Sequence, residues 1–395
     1  MDYLIIFTLL LAPAYAVRFS LFGFPTNLLM VWVLLVWLIV FAYLIKKKQL
    51  PDLVSHIKSL DKKILWLISL FFISGIISLF IRGLDQKKLG QFIVLFLQSI
   101  SLFFIFGYIF WKNPEKKSLL LSTCYLLLAV MGLYAIVQYF TLLGLPAAYW
   151  GNSIEPKRAV AFFSHPNFYA LFATPLLALL IPDLGLRIKD KGLRIFDIKL
   201  WAWLFGLIGL FLSMSRAGWL GLAVAVLIYL VVAADKKIRK IIFGIIVAGT
   251  IVIVAVPNWR YRVLMPFYGE KSASSRVELW ASGWKGIKQS PIFGLGLNGY
   301  QYEYRNLQIN ASFPDHNFPH NIFLNFWVEA GLLGLISITG LIALMLYRGL
   351  KDKKDILRLG ISLFLIALVT QGLIDNPYFK NDLAIIFWAV LSLAI

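Results

Sequence analysis

Charge is what this chain has least of: Asp, Glu, Lys and Arg make up 14% of its 395 residues, against about 25% in soluble domains. The deficit excludes an ordinary soluble globule, and a content of 60% hydrophobic residues points to a polytopic membrane protein. Cysteine is almost missing as well. The lone Cys124 rules out an internal disulfide and a cysteine-ligated metal cluster. Several chemistries lack their signatures: there is no D-x-D pair for a divalent cation and nucleotide sugar, no H-E-x-x-H, no Walker phosphate loop and no G-x-S-x-G. Histidine is scarce too, yet two of the four, His316 and His320, stand together in "FPDHNFPHNIFLNFWVEAGLLGLI" just before an apolar run.

What is abundant is apolar sequence. A hydrocarbon core of about 30 Å needs about 20 apolar residues per helix, and twelve runs approach that length: 3–17, 26–45, 64–82, 89–111, 119–143, 168–182, 200–214, 217–234, 241–256, 321–347, 356–374 and 379–395. Residues 200–234 are too long for one span, so a break is expected at Ser213-Met214-Ser215-Arg216, with Arg216 at a membrane surface. "LLLAPAYAV" resembles a cleavage site after Ala16, but no basic residue precedes it and Asp2 does, so 3–17 is read as the first span. The expected fold class is all-α, with about twelve transmembrane helices and one long ordered extracytoplasmic loop. Its division is nine spans in 1–256, the loop in 257–320 and three spans in 321–395.

The net charge of +19 follows this topology. With the N-terminus inside, loops 46–63, 112–118, 183–199, 235–240 and 348–358 hold 23 of the 38 Lys and Arg, and the long loop holds 7. The excess is the positive-inside signal and not a nucleic-acid footprint, so no nucleic-acid partner is expected.

Within the loop, "SSRVELWASGWKGIKQSP" reads as a helix capped by Ser275 with Glu278 closing a capping box. Val277, Trp280, Trp284 and Ile287 would form its apolar stripe, and Arg276 would lie in its first turn, solvated or paired with Glu278 or Glu270. "GLGLNGY", 294–300, reads first as a tight turn and only weakly as a phosphate cradle. Arg158, His165, Arg216, Arg276, His316 and His320 all fall near outer ends of spans. A basic cluster with a histidine at that surface suits a lipid-linked phosphate: arginine forks onto phosphate oxygens, and histidine exchanges a proton near neutrality. Pro314 and Pro319 oppose a helical His316–His320 pair, so no metal is expected there. His165 and His316 read as a structural and a solvated residue. Glu329, nine residues past His320, points elsewhere on the helix and should pair with an interior group such as a helix-end amide. Asp375 reads as a helix cap or loop anchor.

His320-Asn321, nine residues, Gly331, two residues and Gly334 resemble the H-N-x9-G-x-x-G signature of the bacterial O-antigen ligase superfamily, which includes O-antigen polymerases. "RAVAFFSHPN" (158–167), "SRAGWLG" (215–221) and "SSRVELWASGW…PIFGLGLNGY" (274–300) are similar to the same family in the same order. The resemblance implies an enzyme of the bacterial inner membrane that works on the extracytoplasmic side, without cofactor, metal or nucleotide. It would move a glycan from an undecaprenyl diphosphate carrier to an acceptor hydroxyl on a glycan or lipid such as lipid A-core. By the same motifs Arg216 and Arg276 bind the diphosphate, His320 is catalytic, Arg158, Asn167 and Asn321 are candidate substrate contacts, and Gly331 and Gly334 are motif glycines. Membrane lipids are the remaining expected partners.

A polymerase would differ only in its acceptor. A lipid-linked glycan flippase is the reading from another class, but it should carry paired broken helices at mid-bilayer, whereas here charges gather at span ends. Oligomeric state has no signal in the sequence.

Overall fold

The computed structural model describes residues 2–21, 23–152, 156–191, 196–265, 271–310 and 316–395. In chain order the helices are α1 (Asp2–Leu10), α2 (Leu28–Lys46), α3 (Leu50–Ser59), α4 (Lys62–Phe80), α5 (Gln86–Phe92), α6 (Ser99–Lys112), α7 (Lys117–Thr141), α8 (Pro166–Leu179) and α9 (Ile181–Lys191). They continue as α10 (Ile198–Leu212), α11 (Arg216–Val232), α12 (Lys236–Ala255), α13 (Pro257–Leu264), α14 (Lys271–Gln289), α15 (Gly299–Leu307), α16 (Ile322–Lys351), α17 (Ile356–Gly372) and α18 (Asn381–Leu391). A hairpin of Arg18–Leu21 against Phe24–Asn27, absent from the sequence reading, is the sheet among the described residues.

Among the described residues, five stretches are long and apolar enough to cross a membrane: α2, α4, Gln86–Lys112, Pro114–Thr141 and α16. The pair α8 and α9, bent by 41°, makes a sixth if it counts as one span. Helices α10, α11, α17 and Asn381–Ala394 are apolar but shorter. The expected runs therefore differ in length and continuity, and two of them are broken for local reasons. Run 3–17 splits into α1 and a 3₁₀ turn, Ala12–Ala16, that carries a proline in its first turn. Run 168–182 ends at the α8–α9 bend, where Pro182 has no N–H to bond the carbonyl four residues earlier. The predicted break in 200–234 is present: α10 stops at Leu212 and α11 starts at Arg216, with Met214 between them at φ 53°.

Helix starts follow side-chain caps. Asn27 accepts from Met30 N at 3.0 Å before α2, Asp61 from Lys63 N at 2.7 Å before α4, and Asp85 from Lys88 N at 2.9 Å before α5. On α2, Leu34, Leu38, Phe41 and Ile45 make one exposed apolar face. That face suits lipid and would be a liability in water.

The described chain packs as two compact units. The first comprises 1–123, 275–345 and 372–395. Its core is aromatic: Phe71 stacks on Phe96 with ring centres 4.8 Å apart, and the buried Trp388 donates from Nε1 to Tyr378 Oη at 2.9 Å. Tyr378 in turn donates to Leu95 O at 2.6 Å. Leu95 lies in a π-helical segment, Ile93–Gln98, that joins α5 to α6, and its carbonyl also accepts from Ser99 Oγ at 2.7 Å. The second unit, 124–274 and 346–371, packs α11 onto α8 through small residues. A side chain on Gly218 would meet Thr174 Oγ1 at 2.9 Å and Ala170 Cβ at 3.0 Å, the close approach that small residues permit between apolar helices.

Candidate active site

In the first unit, His320 stands just before α16 with φ 48°, a left-handed conformation rare outside glycine and a mark of local strain. Three contacts hold it. Trp280 of α14 donates from Nε1 to the His320 carbonyl at 3.1 Å. Asn321 caps α16, its Oδ1 accepting from Phe323 N at 3.0 Å and Leu324 N at 3.1 Å. The ring lies with Nδ1 2.9 Å from Asp375 Oδ1. Asp375 is 4% exposed while the histidine side chain is 29% exposed, so the carboxylate lies behind the ring and the ring reaches outward.

Burial works to raise the Asp375 carboxyl, but the hydrogen bond and charge of His320, the Arg276 guanidinium and the Asn376 N–H outweigh it and hold the group below the usual carboxylate range. An ionised Asp375 accepts from Nδ1–H, which selects the tautomer whose Nε2 carries the lone pair. No described residue hydrogen-bonds that nitrogen. Arg276 belongs to the same group, its Nε donating to Ile374 O at 3.0 Å. Of the residues singled out from sequence, His320 and Arg276 thus come together around Asp375. The pairing of Asp375 was missed, since 55 residues separate it from His320 and its local context reads as an ordinary cap.

Other readings change. Helix α14 begins at Lys271, so Ser275 is an interior residue and not its cap, and Arg276 lies beyond the first turn. Glu278 does not close a capping box: its Oε1 accepts from Ile309 N and, at 3.3 Å, from Asn310 N. Glu270, the other expected partner of Arg276, lies outside the described residues, as does Pro314. The buried face of α14 is Leu279, Ser282 and Ile287, whereas Val277 and Trp284 are exposed. His316 is half-buried, its ring 5.8 Å from that of His320 and 6.0 Å from that of Tyr304, instead of solvated.

The glycines of the motif are structural. Gly331 sits inside α16 with φ 69° and ψ −177°, and a Cβ there would lie 2.7 Å from Ile292 O. Gly334 packs against Ser74 Oγ, 2.9 Å from where a Cβ would be. The kink at Gly331 admits the segment 292–300, and Glu329 fastens it by accepting from Asn298 N at 2.6 Å and Tyr300 N at 3.3 Å. Two amides of "GLGLNGY" are thereby committed to a carboxylate, which favours the tight-turn reading. An apolar groove of about 730 Å³ begins at Trp280 and Asn321 and follows α16 past Leu324, Trp327 and Ile336 to Ala343.

The second unit gathers the remaining basic candidates. Arg158 donates from Nη2 to Asn167 Oδ1 at 2.8 Å and from Nε to Ser213 O at 3.0 Å. Arg262, which the sequence reading passed over, donates from Nε to Met214 O at 3.1 Å. Arg216 reaches Arg262 O at 3.4 Å. The 213–216 turn thus brings Arg158, Arg216, Arg262 and Asn167 into one polar cluster. Arg262 was hidden in sequence among other basic residues of the long segment. His165 has the structural role expected, capping α8 as Nδ1 accepts from Asn167 N at 3.0 Å.

Residues 201–339 match the family described as O-Antigen ligase. This stretch contains Arg216, Arg276, His320, Asn321, Gly331 and Gly334, while Arg158, Asn167 and Asp375 lie outside it. Over 161 residues, 36% of this chain and 40% of the relative, the chain is 31% identical to an uncharacterized protein of Haemophilus influenzae. Over 165 residues, 42% of this chain and 38% of the relative, it is 28% identical to a Pseudomonas aeruginosa protein named O-antigen ligase. The matched part of the chain spans about two fifths of the length of these curated relatives.

Proposed function

We propose that the chain, whose residues 201–339 match the O-antigen ligase family, is a metal-independent glycan ligase that moves a glycan from undecaprenyl diphosphate to an acceptor hydroxyl, such as one on lipid A-core. The observation that carries the reading is the His320–Asp375 pair, with Arg276 beside it. His320 Nε2 takes the proton of the acceptor hydroxyl as its oxygen bonds to the anomeric carbon, and the bond from that carbon to the diphosphate oxygen breaks. Asp375 holds the ring and stabilises the imidazolium that forms. Arg216 and Arg276 are assigned to the diphosphate, whose negative charge grows as it departs. An in-line attack inverts the anomeric centre. Arg158 and Asn167 are proposed substrate contacts, and Asn321 acts through the backbone it caps.

The topology proposed with this function has twelve spans in a bacterial inner membrane, nine in 1–256 and three in 321–395. The 257–320 segment and the chemistry lie on the extracytoplasmic face, as the distribution of Lys and Arg favours. A polymerase of the same family would use the same residues with a carrier-linked acceptor.

The test is glycan transfer in proteoliposomes from undecaprenyl diphosphate-linked oligosaccharide to a panel of acceptors, without metal or nucleotide, for wild type and His320→Ala. Transfer by the wild type alone, with donor binding kept in the variant, supports the reading, and the acceptor used separates ligase from polymerase. Labelled donor crossing the bilayer in both proteins, with no acceptor modified, would replace it with a flippase.

A further inference from the structure

Two adjoining spaces in the second unit are not used by the glycan-transfer reaction. One is a cavity of about 440 Å³ enclosed by α9, α10, α11 and α12, walled by Leu184, Trp203, Leu207, Val226, Ile238 and Ile241. Its size falls within the ~300–1,000 Å³ of ligand sites. A space with that lining has few of the 2–4 polar partners that a water needs and suits hydrocarbon. The other is an open groove of about 580 Å³ where α11 turns into α12, lined by Leu230, Val231, Phe243, Arg239 and Lys240. Leu230 borders both spaces.

We propose that this groove and cavity form a binding site for an anionic phospholipid of the inner leaflet, its phosphate at Arg239 and Lys240 and one acyl chain behind Leu230. The charge argument is local. Arg239 and Lys240 are exposed, and neither meets a carboxylate among the described residues. The Arg239 Nε donates to Ala234 O at 3.1 Å, which fixes the guanidinium at the turn. Val231 and Phe243 beside them are exposed and apolar, 69% and 68%. A ligand that satisfies both faces is negative at one end and hydrocarbon at the other. The cavity also reaches Phe211 and Trp219, next to the Arg216 turn, so a polyprenyl phosphate entering from that end is the competing occupant. The paired cations at Arg239 and Lys240 favour the phospholipid.

The site rests on the membrane orientation proposed above and not on the glycan-transfer reaction. Its test is lipid retention by the full-length, delipidated protein, measured by native mass spectrometry with phosphatidylglycerol, phosphatidylcholine and undecaprenyl phosphate. With two basic residues at the headgroup, phosphatidylglycerol should bind on the order of thirtyfold more tightly than phosphatidylcholine, and Arg239→Gln with Lys240→Gln should remove that preference. A control pair at another basic turn, Lys62→Gln with Lys63→Gln, should leave it intact, and Leu227→Trp, which fills the cavity, should weaken both phospholipids. Equal retention of the two phospholipids, or an unchanged preference in the Arg239/Lys240 variant, overturns the proposal. Undecaprenyl phosphate displacing phosphatidylglycerol while ignoring that double substitution assigns the cavity to the other occupant.

Discussion

Asp375→Asn would place an amide beside His320 Nδ1, where the carboxylate now accepts at 2.9 Å. The amide can present either N–H or C=O, so the tautomer with its lone pair on Nε2 is no longer enforced. By analogy with the loss of the aspartate in a Ser-His-Asp triad, glycan transfer should fall by up to about 10⁴-fold with donor binding preserved. A steady-state assay with separate donor titration distinguishes this from a fold defect, which would lower both. The pair should also leave a stability signature. The Asp375 pKa is held below its ordinary value, so its contribution to folding is full above the unfolded value, about 3.9, and is lost as pH falls through the lower folded value. The melting difference between wild type and Asp375→Asn should be constant at mildly acidic and neutral pH and shrink only in stronger acid. A difference that persists unchanged in strong acid would show that the charge of the carboxylate is not what the pair contributes.

At the scale of elements, the kink in α16 joins the His320–Gly334 stretch to the 292–300 segment. Gly331→Ala forces a Cβ into φ 69° and within 2.7 Å of Ile292 O, so it should destabilise the protein by about 1–3 kcal/mol, read as a lowered melting temperature in detergent. Glu329→Ala leaves the Asn298 and Tyr300 N–H groups without their acceptor, a further loss of about 1–3 kcal/mol for buried donors. Glu329→Gln keeps an acceptor and should recover part of it. A Gly331→Ala protein as stable as wild type would mean that α16 straightens without cost and that the glycine serves something else. Part of this scale was legible: the break before Arg216 and the helix after 274 follow from local sequence. The start of α14 was not. Ser275 has the right chemistry for a cap, but the chain enters the helix earlier and Glu278 is drawn off to Ile309 and Asn310 by tertiary packing.

For the whole molecule, orientation is the open variable, and Cys124 makes it accessible to test. It is the one cysteine of the chain and is fully buried, so it gives little background to a thiol probe. In intact cells, Ser290→Cys should react with a membrane-impermeant maleimide from outside, while Ser59→Cys should react only after permeabilisation. Labelling in the opposite order would invert the topology and with it the proposed side of catalysis.

Composition alone determined that this is a membrane protein, because the free energy of burying apolar residues depends on their number and run length. The motif around His320 likewise marks a candidate catalytic residue in the sequence itself. What only the tertiary structure decided is which side chains share a site: Asp375 with His320 and Arg276, Arg262 with Arg216, Glu329 with the 294–300 turn. Those pairings join residues far apart in the chain, and their geometry is set by helix kinks, left-handed turns and close packing at glycine, none of which has a period or a composition that a linear reading detects.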